Sequence, residues 1–341
     1  MNVNILRFPN IRCLLNSLHL LKSVAECMKA FLYGLYVLLT SLMLFFSSSA
    51  LLSCAYAAEN TGSDKAWTLM VYMCADNDLE EMALYDFLEM EQGIHEDVNV
   101  IVLMDRARGY SSLYGDDTGT KLYQVKKAKE RVDYTKLITG SVRLPASFES
   151  EMILNLGELD MSDPANIVHF VNECVKRYPA QRYAFIPWNH GGGWKSMIMD
   201  NDGGKGVRGR GDMTVYEFAG ALNSAAKLLP KKRFDAIIFE MCLMGQIDVL
   251  DVLAPYADYA FASPPVMPAV GISFTDILPL FTKDIPTADL VKKIVLSSKD
   301  YLEKHHLLEC AYSAYDLKKT QAVTDSLNKL SSYLKGIIPK A

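Results

Sequence analysis

Residues 234–245 read Phe234-Asp-Ala-Ile-Ile-Phe-Glu-Met-Cys-Leu-Met-Gly245. The first six residues form a continuous apolar run, the pattern of a strand buried on both faces of a parallel sheet. The run then stops on an acid, a thioether and a thiol. A second stretch repeats the design upstream. Tyr183-Ala-Phe-Ile-Pro-Trp188 is an apolar strand that ends in Asn189-His190-Gly191-Gly192-Gly193-Trp194. His190 and Cys242 are 52 residues apart. That interval holds one loop and one periodic helix, Thr214 to Leu229, so the two strands can be sheet neighbours.

Working outward, strands and amphipathic helices alternate. Trp67 to Met73 and Val98 to Met104 are further apolar strands. Between them lies a helix with Leu79, Met82, Leu84, Phe87 and Leu88 on its apolar face, which Asp78 is placed to cap. Residues 110–146 are rich in Gly, Asp and Tyr and contain alternating segments such as Lys121-Leu-Tyr-Gln-Val125, which predicts a β-hairpin excursion. Pro164 to Tyr178 predicts a helix. Further helices are expected from Gly245 to Leu253, over 275–283, over 287–304 and from Leu317 to Leu334. Short strands are expected at Tyr259–Ala262 and near Cys310–Tyr312. Alternation of this kind means an α/β fold with a mainly parallel sheet covered on both faces, and sites in such sheets lie beyond the carboxyl ends of the strands.

The 341 residues are half hydrophobic, with a net charge of −5. This composition supports a packed core and supplies no basic field for nucleic acid. Residues 1–57 read as a targeting segment: Lys29, an apolar run from Phe31 to Phe46, and Ala55-Tyr56-Ala57 before the cut. Met28-Lys29 reads as an alternative translation start. Leu51-Leu52-Ser53-Cys54 resembles a lipoprotein signal, so membrane contact is expected only through this segment or a lipidated Cys54. Secretion, or a periplasmic or cell-surface location, follows. Residues 58–65 are polar and read as a flexible start, with one domain over 66–341. Of seven cysteines, Cys74, Cys174, Cys242 and Cys310 remain in that domain, too few for a disulfide framework.

The chemistry available at the two strand ends is nucleophilic. A thiolate attacks, and an imidazole takes the thiol's proton and later returns it. The Gly191 and Cys242 backbone N–H groups are candidates for an oxyanion site, with glycines allowing close approach. A helix starting near Gly245 would favour the thiolate through its dipole.

Trp188-Asn-His-Gly-Gly-Gly-Trp194 and Phe239-Glu-Met-Cys-Leu-Met-Gly245, with Trp67 to Leu79 and Val98 to Asp105 as first and second strands, resemble the clostripain family of cysteine peptidases, relatives of caspases, gingipains and legumain. The likeness covers about residues 66–316. It implies a caspase-like α/β/α sandwich, a Cys242–His190 dyad, and endopeptidase cleavage of polypeptides after Arg or Lys. It also implies an acid two positions before the nucleophile, in the S1 pocket for the basic side chain. Here that acid is Glu240, one methylene longer than the family's usual Asp, and Met241 replaces a small residue. Self-cleavage in the 200–212 loop is implied too, with Lys205 the first candidate and Arg208 and Arg210 nearby. No cofactor and no metal ligand set is expected. Calcium, used by some relatives, is left open by the acids at Asp76, Asp78 and 200–212. The alternative reading is a catalytically inactive surface protein that keeps the fold for binding or adhesion.

Overall fold

The computed structural model describes residues 65–115, 118–132, 144–202, 211–307 and 310–337. The targeting segment, Cys54, Lys205, Arg208 and Arg210 lie outside the described residues. The organising strand is β1 (Lys65–Ala75), in which every residue from Ala66 onward is buried. Such unbroken burial requires cover on both faces. Met70, Tyr72 and Cys74 point to one core, and Trp67, Leu69, Val71 and Met73 to the other.

The remaining elements follow as α1 (Glu80–Gly93), β2 (Val98–Arg106), β3 (Thr120–Gln124), β4 (Glu151–Gly157), α2 (Pro164–Arg177), β5 (Ala180–Trp188), α3 (Val215–Ala226), β6 (Phe234–Ile238), α4 (Ile247–Leu253), β7 (Ala257–Ala262), α5 (Phe274–Ile277), α6 (Thr287–Lys304), β8 (Ser313–Asp316) and α7 (Thr320–Ile337). One eight-stranded sheet runs β4-β3-β2-β1-β5-β6-β7-β8. Strands β2, β1, β5, β6 and β7 are mutually parallel, while β3, β4 and β8 run antiparallel to their neighbours. Helices α2, α3 and α4 pack on one face and α1, α5 and α6 on the other. This is the caspase-like α/β/α sandwich.

The chain leaves β1 toward β2, β3 and β4, then returns to place β5 on the other side of β1. The direction of winding reverses between β1 and β5, and sheets of this kind carry their sites beyond the carboxyl ends at such a reversal. Buried polar pairs hold this end of the sheet. Arg106 donates from Nε to Glu80 Oε1 at 2.7 Å, and Ser111 N donates to Glu80 Oε2 at 2.8 Å, fixing the start of α1.

Several boundaries differ from expectation for physical reasons. Within 110–146 the described residues hold a single strand, β3, whose antiparallel partners are β2 and β4 at 151–157, the latter an exposed edge strand without clean alternation. The helix expected over 275–283 breaks into a single α turn and a 3₁₀ turn, Leu278–Leu280, because Pro279 has no N–H to continue the ladder. The last strand begins at Ser313, where pairing with Ala262 sets its register. Helix α4 begins at Ile247 rather than Gly245 and has seven residues. Cys242 therefore stands five residues before a short helix, and the dipole argument for its thiolate does not apply. Cys74, Cys174, Cys242 and Cys310 are all free thiols. Among the described residues no helix is long and apolar enough to cross a membrane.

Candidate active site

Parallel pairing of β5 with β6 continues one step beyond the named strands. Trp188 and Glu240 form a bridge, Glu240 N donates to Pro187 O at 3.1 Å, and Asn189 N donates to Glu240 O at 3.3 Å. His190 and Cys242 each lie two residues past that bridge. The equal offset brings them to the same level on adjacent strands. Gly191 makes the approach possible. A Cβ there would lie 2.2 Å from the Cys242 carbonyl oxygen and 3.0 Å from Met241 Cβ, so any other residue would force the two strand ends apart.

Asn189 anchors the histidine. It is buried, and its amide donates to Cys74 O at 2.5 Å and to Met199 O at 2.9 Å. Its Oδ1 accepts from His190 N at 2.6 Å and from Met199 N at 2.8 Å. One side chain thus ties the ends of β1 and β5 to the segment returning at Met199. The His190 ring lies 2.7 Å, Nε2 to Oδ1, from Asp78. Asp78 is therefore not the helix cap expected of it. Leu79 occupies the N-cap position of α1, Asn77 Oδ1 accepts from Leu79 N at 3.0 Å, and the Asp78 carboxylate is free to meet the imidazole.

Cys242 is half-buried, and its sulfur accepts from Met267 N at 3.3 Å. Among the described residues, no hydrogen bond joins His190 to Cys242. Each holds its own partner, Asp78 and Met267. Neither the Gly191 nor the Cys242 backbone N–H donates to an acceptor among the described residues. After the thiol the chain turns sharply. Leu243 takes φ 64°, a left-handed conformation costly for a branched side chain, held by donation from Leu243 N to Pro265 O at 3.0 Å.

Glu240 projects into the face covered by α1. It is 5% exposed, and Oε1 accepts from Ile272 N at 2.9 Å while the buried Oε2 has no partner. Burial first, and the Glu89 charge beside it, push its carboxyl up to about 8. Burial likewise raises Glu89 to about 8 and Asp86 well above the usual carboxylate range, although Trp188 Nε1 donates to Asp86 Oδ2 at 2.6 Å. Gly271, at φ 61°, lies directly over this cluster, where a Cβ would fall 1.8 Å from Glu240 Oε1.

Sequence reasoning put His190, Gly191, Glu240 and Cys242 at these two strand ends, where the structure also has them. It missed the roles of Asn189, Asp78 and Met267. An Asn immediately before the strand-end His was a usable signal, whereas nothing local marks Met267, 25 residues past the thiol.

A thiol and an imidazole at the ends of neighbouring parallel strands, in a sandwich wound this way, define the caspase-like class of α/β proteins. The model of the clostripain family (Peptidase C11) matches residues 71–340, and the chain belongs to that family. Clostripain of Hathewaya histolytica is 26% identical over 321 residues, covering 80% of this chain and 57% of its own length. The chain thus spans little more than half of that relative. Three solved structures share the fold. A secreted C11 cysteine protease from Bacteroides thetaiotaomicron, "iotapain", has a TM-score of 0.60 at 14% identity, over 80% of this chain and 72% of its own. A secreted C11 cysteine protease from the same organism, in complex with an irreversible peptide inhibitor, has a TM-score of 0.55 at 22% identity, over 75% and 67%. An inactive zymogen C11 protease from Parabacteroides distasonis has a TM-score of 0.53 at 18% identity, over 76% and 64%.

Proposed function

We propose that this protein is a secreted or surface-anchored cysteine endopeptidase that cleaves after Arg or Lys, with Cys242 as nucleophile and His190 as base. The observation that carries the reading is the Trp188–Glu240 bridge, which sets His190 and Cys242 at one level on adjacent strands. With Nε2 held by Asp78, Nδ1 is the ring nitrogen left for proton exchange with the thiol. His190 takes the Cys242 proton and the sulfur attacks the substrate carbonyl carbon. The Gly191 and Cys242 N–H groups receive the oxyanion. The C–N bond breaks as the imidazolium returns its proton to the leaving amine, and water hydrolyses the thioester.

Glu240 is assigned to the S1 pocket. Its unpartnered buried oxygen, with Asp86 and Glu89 behind it, suits a guanidinium or ammonium, because a cation arriving there relieves three crowded carboxyl groups. Self-cleavage at Lys205 rests on its place between the two strand ends. Secretion rests on residues 1–57 and on the secreted relatives.

The test is hydrolysis of Arg- and Lys-amide fluorogenic peptides by the purified protein. Turnover that falls by on the order of 10⁴-fold or more in Cys242→Ala supports the reading. Undiminished turnover in Cys242→Ala overturns it. A thiol probe that fails to label Cys242, with no turnover, favours the non-catalytic surface protein.

A further inference from the structure

The sequence has three tryptophans. Two are buried and have acceptors for their indole N–H groups: Trp67 donates to Thr282 O at 3.4 Å and Trp188 to Asp86 Oδ2 at 2.6 Å. Trp194, four residues past His190, is 49% exposed, and its indole N–H meets no acceptor among the described residues. A single exposed apolar side chain is ordinary on a protein surface, so its position decides what it means.

The turn that carries Trp194 is built against the thiol. Gly191 and Met197 form an antiparallel bridge, Gly192 N donates to Ser196 O at 2.8 Å, and the chain reverses over residues 193–195. Gly193 takes φ 64° at this reversal and is buried against the chain just past Cys242. A Cβ there would lie 3.2 Å from Gln246 Oε1 and 3.6 Å from Leu243 O. Trp194 thus sits at the tip of a short hairpin that begins at the imidazole and rests on the nucleophile's own turn. This hairpin and the Glu240 side chain lie toward opposite faces of the sheet. Met197, to which the hairpin returns, packs with Met241 and Met244 in the core covered by α2, α3 and α4. Glu240 is held by Ile272 N beneath Gly271, on the face covered by α1.

We propose that Trp194 forms the leaving-group subsite, the surface that receives the first residue after the scissile bond, and that it selects apolar and aromatic side chains there. The inference rests on the dyad and the basic pocket proposed above. A peptide lying across the thiol with its Arg or Lys side chain turned to Glu240 has its amine half on the other side. That half passes the imidazole, because His190 returns the proton to the leaving nitrogen. The chain runs from His190 directly into the hairpin, so the departing residue meets the tip at Trp194. Stacking there removes apolar area of both partners from water. Lys195 Nζ stands 5.8 Å from the centre of the Trp194 ring, a charge that opposes a second cation at this surface. The site thus reads a basic residue before the cut and an apolar one after it.

The test uses the acyl-enzyme thioester that the purified full chain forms from the ethyl ester of benzoylarginine. Water releases the acid, and an added amino acid amide competes with water. The amide's nitrogen attacks the thioester carbonyl carbon, the C–N bond forms as the C–S bond breaks, and the proton passes through His190 to the Cys242 sulfur. This is acylation in reverse, so the amide binds where the leaving residue binds. Phenylalaninamide should be transferred about 10-fold more efficiently than glycinamide, and argininamide no better than glycinamide. Trp194→Ala should bring phenylalaninamide within about 2-fold of glycinamide, and Trp194→Phe should keep most of the preference. Each value is a ratio within one sample, so a variant that folds in lower yield gives the same answer. Ester hydrolysis with phenylalaninamide and glycinamide transferred equally overturns the subsite alone, as does a preference that survives Trp194→Ala. Argininamide transferred as well as phenylalaninamide overturns the apolar selection. Absence of ester turnover overturns the peptidase reading, and the subsite with it.

Discussion

Two groups of buried carboxylates sit on opposite faces of the same sheet end, and they differ in what could answer their charge. Asp86, Glu89 and Glu240 lie among apolar residues beneath Gly271, beside the strand that carries the thiol. Asp76, Asp105 and Asp200 lie near Glu158, which is exposed, so that group reaches solvent at one corner. Burial raises both: Glu240 and Glu89 to about 8, Asp105 to about 9, Asp76 to about 7. The first is enclosed and keeps two buried oxygens, Glu240 Oε2 and Glu89 Oε2, without a partner, as a site for a side-chain cation arriving with a substrate should. The second brings one oxygen from each of four carboxylates within 4.8 Å of the others. Identical chemistry is thus arranged differently by geometry alone.

The largest expected break of this comparison is Glu240→Gln. Turnover of Arg and Lys peptides should fall by about 100- to 1,000-fold, the effect of removing one partner of a buried ion pair, while Tm near neutral pH does not fall, because a buried carboxyl without a partner is gone. Undiminished turnover would remove Glu240 from the S1 pocket. Asp78→Asn comes next. With the imidazole's carboxylate partner gone, kcat should fall by about 10-fold with KM nearly constant. The effect is modest because the Asp78 side chain is 70% exposed, unlike a buried orienting acid. Steady-state kinetics on one fluorogenic peptide separates the two variants.

The smallest effect is a pH dependence of stability. Glu89 and Glu240 have folded-state values near 8, above the ordinary 4.5. Their raised values mean the folded state holds protons that the unfolded chain releases. Stability is therefore full below the ordinary carboxylate range and is lost as pH rises from there through about 8. Thermal melts should show Tm falling between about pH 5 and about 8.5. Glu89→Gln should flatten that slope, and an unchanged slope would place the titrating groups elsewhere, with Asp105 the first to examine.

Much of the fold was legible because strands buried on both faces must be continuously apolar, and Phe234 to Phe239 and Tyr183 to Trp188 could hardly be anything else. The placement of His190 and Cys242 at the ends of neighbouring strands was legible for the same reason. Edge elements were less so. β4 is largely exposed and carries little period, and Pro279 divides a helix that its apolar pattern alone would extend. Asp78 was misread because an acid before a helix is usually a cap, and only the tertiary fold brings His190 to it across 112 residues.

By itself, then, the chain's order of residues determined the layered sandwich, the strand-end thiol and imidazole, and the acid two places before the thiol, because each is written in local hydrophobic period and position. The folded molecule alone decided which groups meet. It gave His190 to Asp78, the Cys242 sulfur to Met267 N–H and Asn189 to Cys74 and Met199, and it converged Asp76, Asp105, Glu158 and Asp200 from four separate segments. Such contacts depend on sheet order and register, which no local pattern encodes.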